Sequence, residues 1–589
     1  MAEQESRRGD AEPSRGERLE RAYSSGGEGE SPDAGSLAAL RAALGRWREG
    51  PVAEASRGMP PRKARFETWS GLEVPDVVTP ADVSVDHARS LGLPGEYPFT
   101  RGVSPTGYRG ALWAPRTVIG FGTPALTNER LRATLAEGQS SPGIAFDFPT
   151  LMGYDSDAPR ALGEVGMCGV AVDTLRDLEA LFHDVPLDRV SPSLAVDGPA
   201  AVLLAFYVAL ADRRGTPRAA LGGAIQNDCL KDFVAQHAWL LPPRPALRVA
   251  SDVIAFCARE LPNWDAVSIG GYHVREAGAT APQELGFALA SGLAYLASCV
   301  ARGLDLDAEP PRLSFSFDVH NDFFEEVAKL RAARRLWARL LRERYGARAA
   351  ERLKLHAHAR TSGASLTPQQ PQNNAARVTL QALAAVLGGA QSLHANSLDE
   401  TYALPGEASI ALSRCTQHII AAESGVANVA DPLGGSYYVE WLTDRLEAEA
   451  LAVVTKIDAL GGMVAAIEQG HPQRAIAAAS YQFQRQIERG ERVVVGVNAY
   501  QSAGEVKSMP VVRVDESVQR TQREGLHVLK AARDPARVRA ALGAVREAAV
   551  GDTNLMPPLI DAAKADCTEQ ELCDVLREAF GAPGEPPEL

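Results

Sequence analysis

The tightest constraint on the fold of this chain is a repeated pattern. From about residue 117, short β-branched or small apolar runs alternate with longer stretches of helical spacing. The runs are 117–121, 143–146, 169–172, 191–194, 222–225, 266–269, 313–317, 354–358 and 391–394. Apolar-periodic helices such as 200–213, 282–302 and 322–345 lie between them. Strands joined through helices of this length need crossovers, so they run parallel. This many βα units predicts an α/β fold with a (β/α)8 TIM barrel over residues 100–404, in preference to a doubly wound sheet.

The strand candidates are unusual in chemistry. They carry Ser191, Ser193, Gln226, Ser268, Ser314, Ser316, His356, His358, Gln391 and His394. An ordinary barrel interior is filled by Val, Ile and Leu. A polar lining predicts an open lumen that holds a ligand; the alternative is that these residues face loops or helix ends.

The flanks read differently. Residues 1–36 are rich in Glu, Arg, Gly and Ser, which predicts a disordered tail. Residues 37–99 read as an arm that packs on the barrel or on a partner. It opens with a helix (Leu37, Leu40, Leu44, Trp47) and continues as a Pro-rich extended segment over 51–100. Residues 405–589 are mainly helical, with candidate helices at 409–424, 438–460, 463–468, 474–489, 532–549 and 569–580. They lack the alternation of a nucleotide-type α/β domain.

Composition excludes several classes. A net charge of -13 disfavours a nucleic-acid surface. The seven cysteines stand singly, without metal spacing, and read as small buried side chains in a reducing compartment. The apolar stretches fall short of the ~20 residues that span a bilayer, and the charged N-terminus lacks a signal core. A protein of the cytoplasm, away from membranes, is expected.

The chemistry centres on Tyr272-His273. A phenol and an imidazole follow Gly270-Gly271 at the exit of the run 266–269. That edge of a parallel barrel is where active sites are built. Other blocks occur in order around it: Thr100-Arg-Gly102, Gly153-Tyr-Asp-Ser-Asp157, Gly163-Glu-Val-Gly-Met167, Ile225-Gln-Asn-Asp228, Arg312-Leu-Ser314, Thr361-Ser-Gly363, Gln391-Ser-Leu-His394, Asn396-Ser-Leu-Asp-Glu400, Asp431-Pro-Leu-Gly-Gly-Ser436 and Val495-Gly-Val-Asn498. Together they resemble the methylmalonyl-CoA mutase family of adenosylcobalamin-dependent acyl-CoA mutases.

The resemblance implies a radical reaction. The cobalt–carbon bond of adenosylcobalamin breaks, the adenosyl radical takes a substrate hydrogen, and the acyl-thioester group migrates to the neighbouring carbon. It implies that His273 donates to the thioester oxygen, that Tyr272 shields the centre and that Gln226 touches substrate. Asn396 and Glu400 would hold the adenosyl ribose; helix capping is the alternative for that pair. Arg312, Ser314 and His358 would grip the CoA tail, with Arg116, Ser193 and Gln391 in the same channel. A plain surface role is the alternative for Arg116. No residue is assigned to a metal.

Departures from the family bear on the substrate. Gln236 stands where enzymes for methylmalonyl-CoA have an arginine for the free carboxylate, and a neutral amide cannot replace that bond. Val118 stands where the family has an aromatic ring, which opens space near the migrating carbon. Ala145 stands where relatives acting on 2-hydroxyisobutyryl-CoA have an aspartate. Ser104, Gly107, Ala111 and Ala114 replace larger residues beside the pantetheine. The cobalamin motif Asp-x-His-x-x-Gly is not matched: the nearest string, Asp318-Val-His-Asn-Asp-Phe323, ends in Phe. The expectation is a large, substrate-binding subunit without a cobalamin-binding domain. It would work with a small cobalamin-binding subunit, whose interface includes Leu151, and a G-protein chaperone of the kind common in the family is a further expected partner.

The leading expectation is therefore a catalytic large subunit acting on a branched, non-dicarboxylic acyl-CoA, similar to isobutyryl-CoA mutases. The alternatives are a non-catalytic mutase-like subunit and a methylmalonyl-CoA mutase. An aldolase-type barrel is disfavoured because no lysine is expected at a strand end.

Overall fold

The computed structural model describes residues 34–83, 86–139, 141–402, 405–501 and 515–584. Most of the predicted disordered tail therefore lies outside the described residues. The chain divides into two compact units, Met1–Phe66 with Pro75–Ser84, and Glu67–Val74 with Val85–Leu589. In the first, helix Ala34–Trp47 runs on through a wider turn at Arg48–Val52 into Ala53–Gly58, so helix replaces the first residues, to Gly58, of the extended segment expected over 51–100. Arg48 holds this helix to Asp76 at 2.8 Å.

Among its described residues, the second unit is built on eight parallel strands: β1 (Ala114–Pro115, continued by Val118–Ile119), β2 (Gly143–Ala145), β3 (Ser193–Ala195), β4 (Gly222–Ile225), β5 (Asn263–Asp265, continued by Val267–Gly270), β6 (Leu313–Val319), β7 (His356–Thr361) and β8 (Ser392–His394). The ring closes through its two broken strands. The first half of β1 pairs with β8 (Ala114↔Ser392) and its second half with β2 (Val118↔Gly143). The first half of β5 pairs with β4 and its second half with β6. Such a change of neighbour along one strand follows from the stagger that closure imposes.

The main helices are α1 (Pro124–Ala136), α2 (Leu175–Leu181), α3 (Ala200–Arg214), α4 (Pro243–Glu260), α5 (Gly271–Glu276), α6 (Ala281–Ala301), α7 (Phe323–Tyr345), α8 (Asn373–Leu387) and α9 (Glu407–Ala422), with at least one after each strand. Local chemistry sets their starts. Thr123 caps α1 by accepting from Leu126 N, and Thr280 forms a capping box with Gln283 at α6. One expected strand is absent: 169–172 only touches the barrel through Val170, which bridges Phe146 and Gly122 and covers the end of β2.

Side chains alternate along the strands. Phe315, Phe317, Ala359, Leu393, Ile144 and Leu194 are fully buried and point outward to the helices. Phe315, for example, packs edge-on against Trp337 of α7 at 4.9 Å. The residues between them, including Ser193, Ser268, Ser314, Ser316, His356, His358 and Ser392, therefore face the lumen. The hydrophobic core is the shell between ring and helices.

Helix α6 corrects the expectation about apolar stretches. Its 21 residues are long and apolar enough to cross a membrane, yet most are buried in this shell. Its Glu284 pairs there with Lys329 of α7 at 2.7 Å. Beyond β8 and α9 come α10 (Tyr437–Ala459), α11 (Met463–Glu468), α12 (His471–Glu488), α13 (Ser517–Ala532), α14 (Pro535–Val550), α15 (Met556–Lys564) and α16 (Glu569–Phe580). Ion pairs tie α10 to α7, among them Arg331–Glu440 at 2.5 Å.

Candidate active site

The centre lies where β5 gives way to α5. The Gly270 N–H donates to Asp228 Oδ2 at 2.7 Å, and Asp228 Oδ1 accepts from the Tyr295 hydroxyl at 2.6 Å. A Cβ on Gly270 would come within 2.9 Å of His273 Nδ1 and 3.2 Å of Lys231 Cγ, so glycine lets both side chains pack there. Tyr272 is buried and meets the His273 ring edge-on at 5.3 Å. Burial, with Lys231 and Arg360 nearby, holds the His273 imidazole well below its usual range, so it is neutral. Its Nδ1 is buried without a protein partner.

Beside it is a buried charge cluster. Lys231 donates to Asp197 Oδ2 at 2.7 Å and lies 3.3 Å from Asp232. It also donates to Gln236 Oε1. Ammonium only donates, so this bond fixes the amide and leaves the Gln236 NH2 as the group to offer a ligand. A lysine does therefore follow the end of β4, contrary to the sequence expectation. Its charge is committed to carboxylates that hold its pKa above the usual lysine value, so it is no Schiff-base nucleophile.

Across the mouth, β7 and β8 supply a second group. Arg360, in lumen register with His356 and His358, lies 4.4 Å over the Tyr272 ring and 3.6 Å from Glu400. Asn396 is nearly inaccessible; its Nδ2 donates to Thr361 O at 2.8 Å, and its Oδ1 has no partner. Gly363 leaves a cradle: a Cβ there would lie 2.9 Å from Glu276 Oε2, 3.4 Å from the Tyr272 hydroxyl and 3.5 Å from Asn396 Nδ2. An orphaned buried acceptor beside a half-exposed carboxylate fits a ligand with paired hydroxyls, and so fits a ribose.

The other expected residues lie at the strand ends and down the lumen. Gln226 is half-buried at the end of β4, where its backbone joins Leu194 and Ser268. Val118, 37% exposed, is in lumen register on β1. Arg116 reaches Ser193 Oγ at 3.3 Å, and its Nε is buried and unpartnered. His358 shares a 2.8 Å hydrogen bond with Ser392 Oγ and is kept neutral by burial. Ser314 is buried.

Arg312 sits just before β6, at the opposite end of the ring from Tyr272, half-exposed and bonded to Asp265 at 3.0 Å. Gln391 does not offer its amide to the lumen: Oε1 accepts from Ala357 N at 2.6 Å and Nε2 donates to Gly389 O at 2.8 Å. It walls a cavity of about 240 Å3 at that same end, together with Ser104, Gly107, Ala111 and Trp113. The structure thus brings Tyr272, His273, Gln226, Gln236, Asn396 and Glu400 to one mouth, and Arg312 and Gln391 to the other end.

Two residues escaped sequence reading. Lys231 lies outside the motif blocks, and nothing local to it in the sequence gives it a role. Arg360 fell past the expected end of its strand at His358, although the alternation His356-Ala-His358-Ala-Arg360 would have carried it into the lumen. His320, in the string nearest to a cobalamin motif, is buried against Trp69 at 4.5 Å between ring centroids and serves packing.

Comparison with known proteins bears on all of this. Residues 67–582 match the family model described as methylmalonyl-CoA mutase. A probable mitochondrial methylmalonyl-CoA mutase of Caenorhabditis elegans is 42% identical over 533 residues, 90% of this chain and 72% of the relative. The methylmalonyl-CoA mutase of Escherichia coli is 42% identical over 516 residues, 87% of this chain and 72% of the relative. The 2-hydroxyisobutanoyl-CoA mutase large subunit of Aquincola tertiaricarbonis is 41% identical over 542 residues, covering 92% of this chain and 96% of the relative.

Proposed function

This chain belongs to the methylmalonyl-CoA mutase family of isomerases, and from that premise we propose that it is the catalytic large subunit of a two-subunit acyl-CoA mutase acting on a branched acyl group without a free carboxylate. The family depends on cobalamin, and a second, cobalamin-binding subunit would lie over the mouth. The match to nearly the whole of a relative named as a large subunit supports that division.

One observation carries the catalytic reading. The neutral His273 stands at the mouth of a polar-lined barrel, with Tyr272 against it, and the Tyr272 hydroxyl borders the cradle at Gly363 beside Asn396. When bound, adenosylcobalamin supplies the radical chemistry. His273 then donates an N–H to the thioester oxygen, where charge grows as the acyl group moves. Tyr272 closes the space beside it, and the barrel wall keeps water out. The lumen runs between this mouth and the end that holds Arg312, which suits a long thioester carrier threaded along the axis.

The substrate class follows from charge. Gln236 offers an NH2 but no cation. Arg360 is a cation at this mouth, but Glu400, Glu276 and Asp318 already act on it. An added anion would face three acids, so a neutral acyl chain is favoured, with room for branching where Val118 stands.

The test is turnover of the chain with its cobalamin-binding partner, adenosylcobalamin and a panel of C4 to C6 acyl-CoAs. Rearrangement of branched neutral thioesters is expected. Faster turnover of methylmalonyl-CoA would overturn the substrate class. No turnover of any thioester would overturn catalysis and leave a binding subunit.

A further inference from the structure

Arg360 is a partly buried cation to which the sequence motifs give no role. Its Nε–H is buried without a partner, its guanidinium lies 4.4 Å over the Tyr272 ring, and its nearest carboxylate is Glu400 at 3.6 Å. Stacking on a buried ring fixes the plane of the donor fork. Glu276, the other acid at this cradle, is already engaged, accepting from Ser362 Oγ at 2.8 Å and from Ala364 N at 2.9 Å. Of the acids around Arg360, Glu400 is the one that comes within ion-pair range of the fork.

Asn396 is oriented in a complementary way. Its Nδ2 is spent on Thr361 O, so only the unpartnered Oδ1 remains for a ligand. The space that Gly363 leaves open is bordered by Glu276 Oε2, the Tyr272 hydroxyl and Asn396 Nδ2; the acceptors left for a ligand in this region are Asn396 Oδ1 and the Glu400 carboxylate. Vicinal hydroxyls are the donors that satisfy both.

We propose that Arg360 is a positioning residue for the nucleoside end of the cofactor: stacked on Tyr272, it holds the Glu400 carboxylate so that Glu400 and Asn396 Oδ1 together accept the two ribose hydroxyls. The inference rests on the functional reading above. It also links two sites, because the guanidinium that aims Glu400 is the one that lies on the ring beside His273.

The test uses the full chain and two probes, 5′-deoxyadenosine and 2′,3′,5′-trideoxyadenosine, titrated by ligand-observed NMR. The wild-type chain should prefer the nucleoside with the hydroxyl pair. Arg360→Gln should reduce that preference by about tenfold, the scale of losing charge-assisted hydrogen bonding. Arg360→Lys keeps the charge without the planar fork and should fall between, and it decides the matter should the glutamine variant fail to fold.

A pH series adds a readout that packing alone would not move. Glu400 faces Arg360 on β7, Asp399 on its own loop and Glu276 on α5; burial raises its pKa, both acids add to that, and Arg360 opposes it. In Arg360→Gln the Glu400 pKa should rise further, so binding of the hydroxyl-bearing nucleoside should be lost at a higher pH on acidification than in wild type. An unchanged preference in Arg360→Gln overturns the inference. So does a wild-type chain that binds neither nucleoside yet turns over with adenosylcobalamin and its partner. Absence of both turnover and nucleoside binding overturns the functional reading as well.

Discussion

His273 can act as a donor to a thioester oxygen because its surroundings keep it uncharged. Burial comes first, and the cations Lys231 and Arg360 add to it. Its folded pKa lies below the ordinary value of about 6.5, so the neutral form persists as pH falls through that value. Turnover should therefore show no inflection near pH 6.5, and a sharp acid limb there in a pH–rate profile would contradict this arrangement. His273→Ala should lower kcat by on the order of 10²-fold or more, as for the loss of one oxyanion donor, with acyl-CoA binding largely kept. A wild-type rate would remove His273 from the chemistry. The residues legible in the sequence at this scale were those inside contiguous motifs, such as Tyr272-His273 and Asn396 to Glu400. Arg360 and Lys231 were not, because what defines them is the neighbours that folding supplies: a ring from helix α5, and a carboxylate 34 positions away.

At the scale of elements, the segment from Asp228 to Gln236 behaves as one piece. Asp228 holds the end of β5, Lys231 binds Asp197 and Asp232, and the same lysine sets the Gln236 amide. Lys231→Met would leave buried carboxylates without their cation. It should destabilise the fold by about 3–5 kcal/mol, measured by denaturant unfolding. A loss under about 1 kcal/mol would mean the cluster relaxes or takes up protons instead. Strands were readable because apolar residues alternate with small polar ones, but their ends were not. β7 runs to Thr361 because pairing with the long β6 continues to Val319↔Thr361. The 169–172 run has strand composition but finds only the rim of β2, since the ring is already closed by eight strands. Helix α13 was missed because its apolar face is thin: Val518, Leu526 and Leu529 are its buried apolar residues.

For the whole molecule, the barrel was legible from the count of βα units and from the serines and histidines of its strands. The two-halved β1 and β5 were not, since they follow from closure geometry and not from local sequence. The lumen is the part of the fold most exposed to a simple test. Ser316 is buried in lumen register midway along β6, and Ser316→Phe should obstruct the channel. Acyl-CoA binding should weaken at least tenfold, at an overpacking cost of about 1–3 kcal/mol in stability. Unchanged affinity, read by calorimetry, would show that the carrier takes another route. The small lining side chains carry a last consequence, for how the protein withstands heat. A barrel that does not fill its own centre borrows that filling from its cargo. Its melting temperature should climb with acyl-CoA concentration, by the logarithm of occupancy, so that durability in the cell tracks the supply of thioester as much as the sequence.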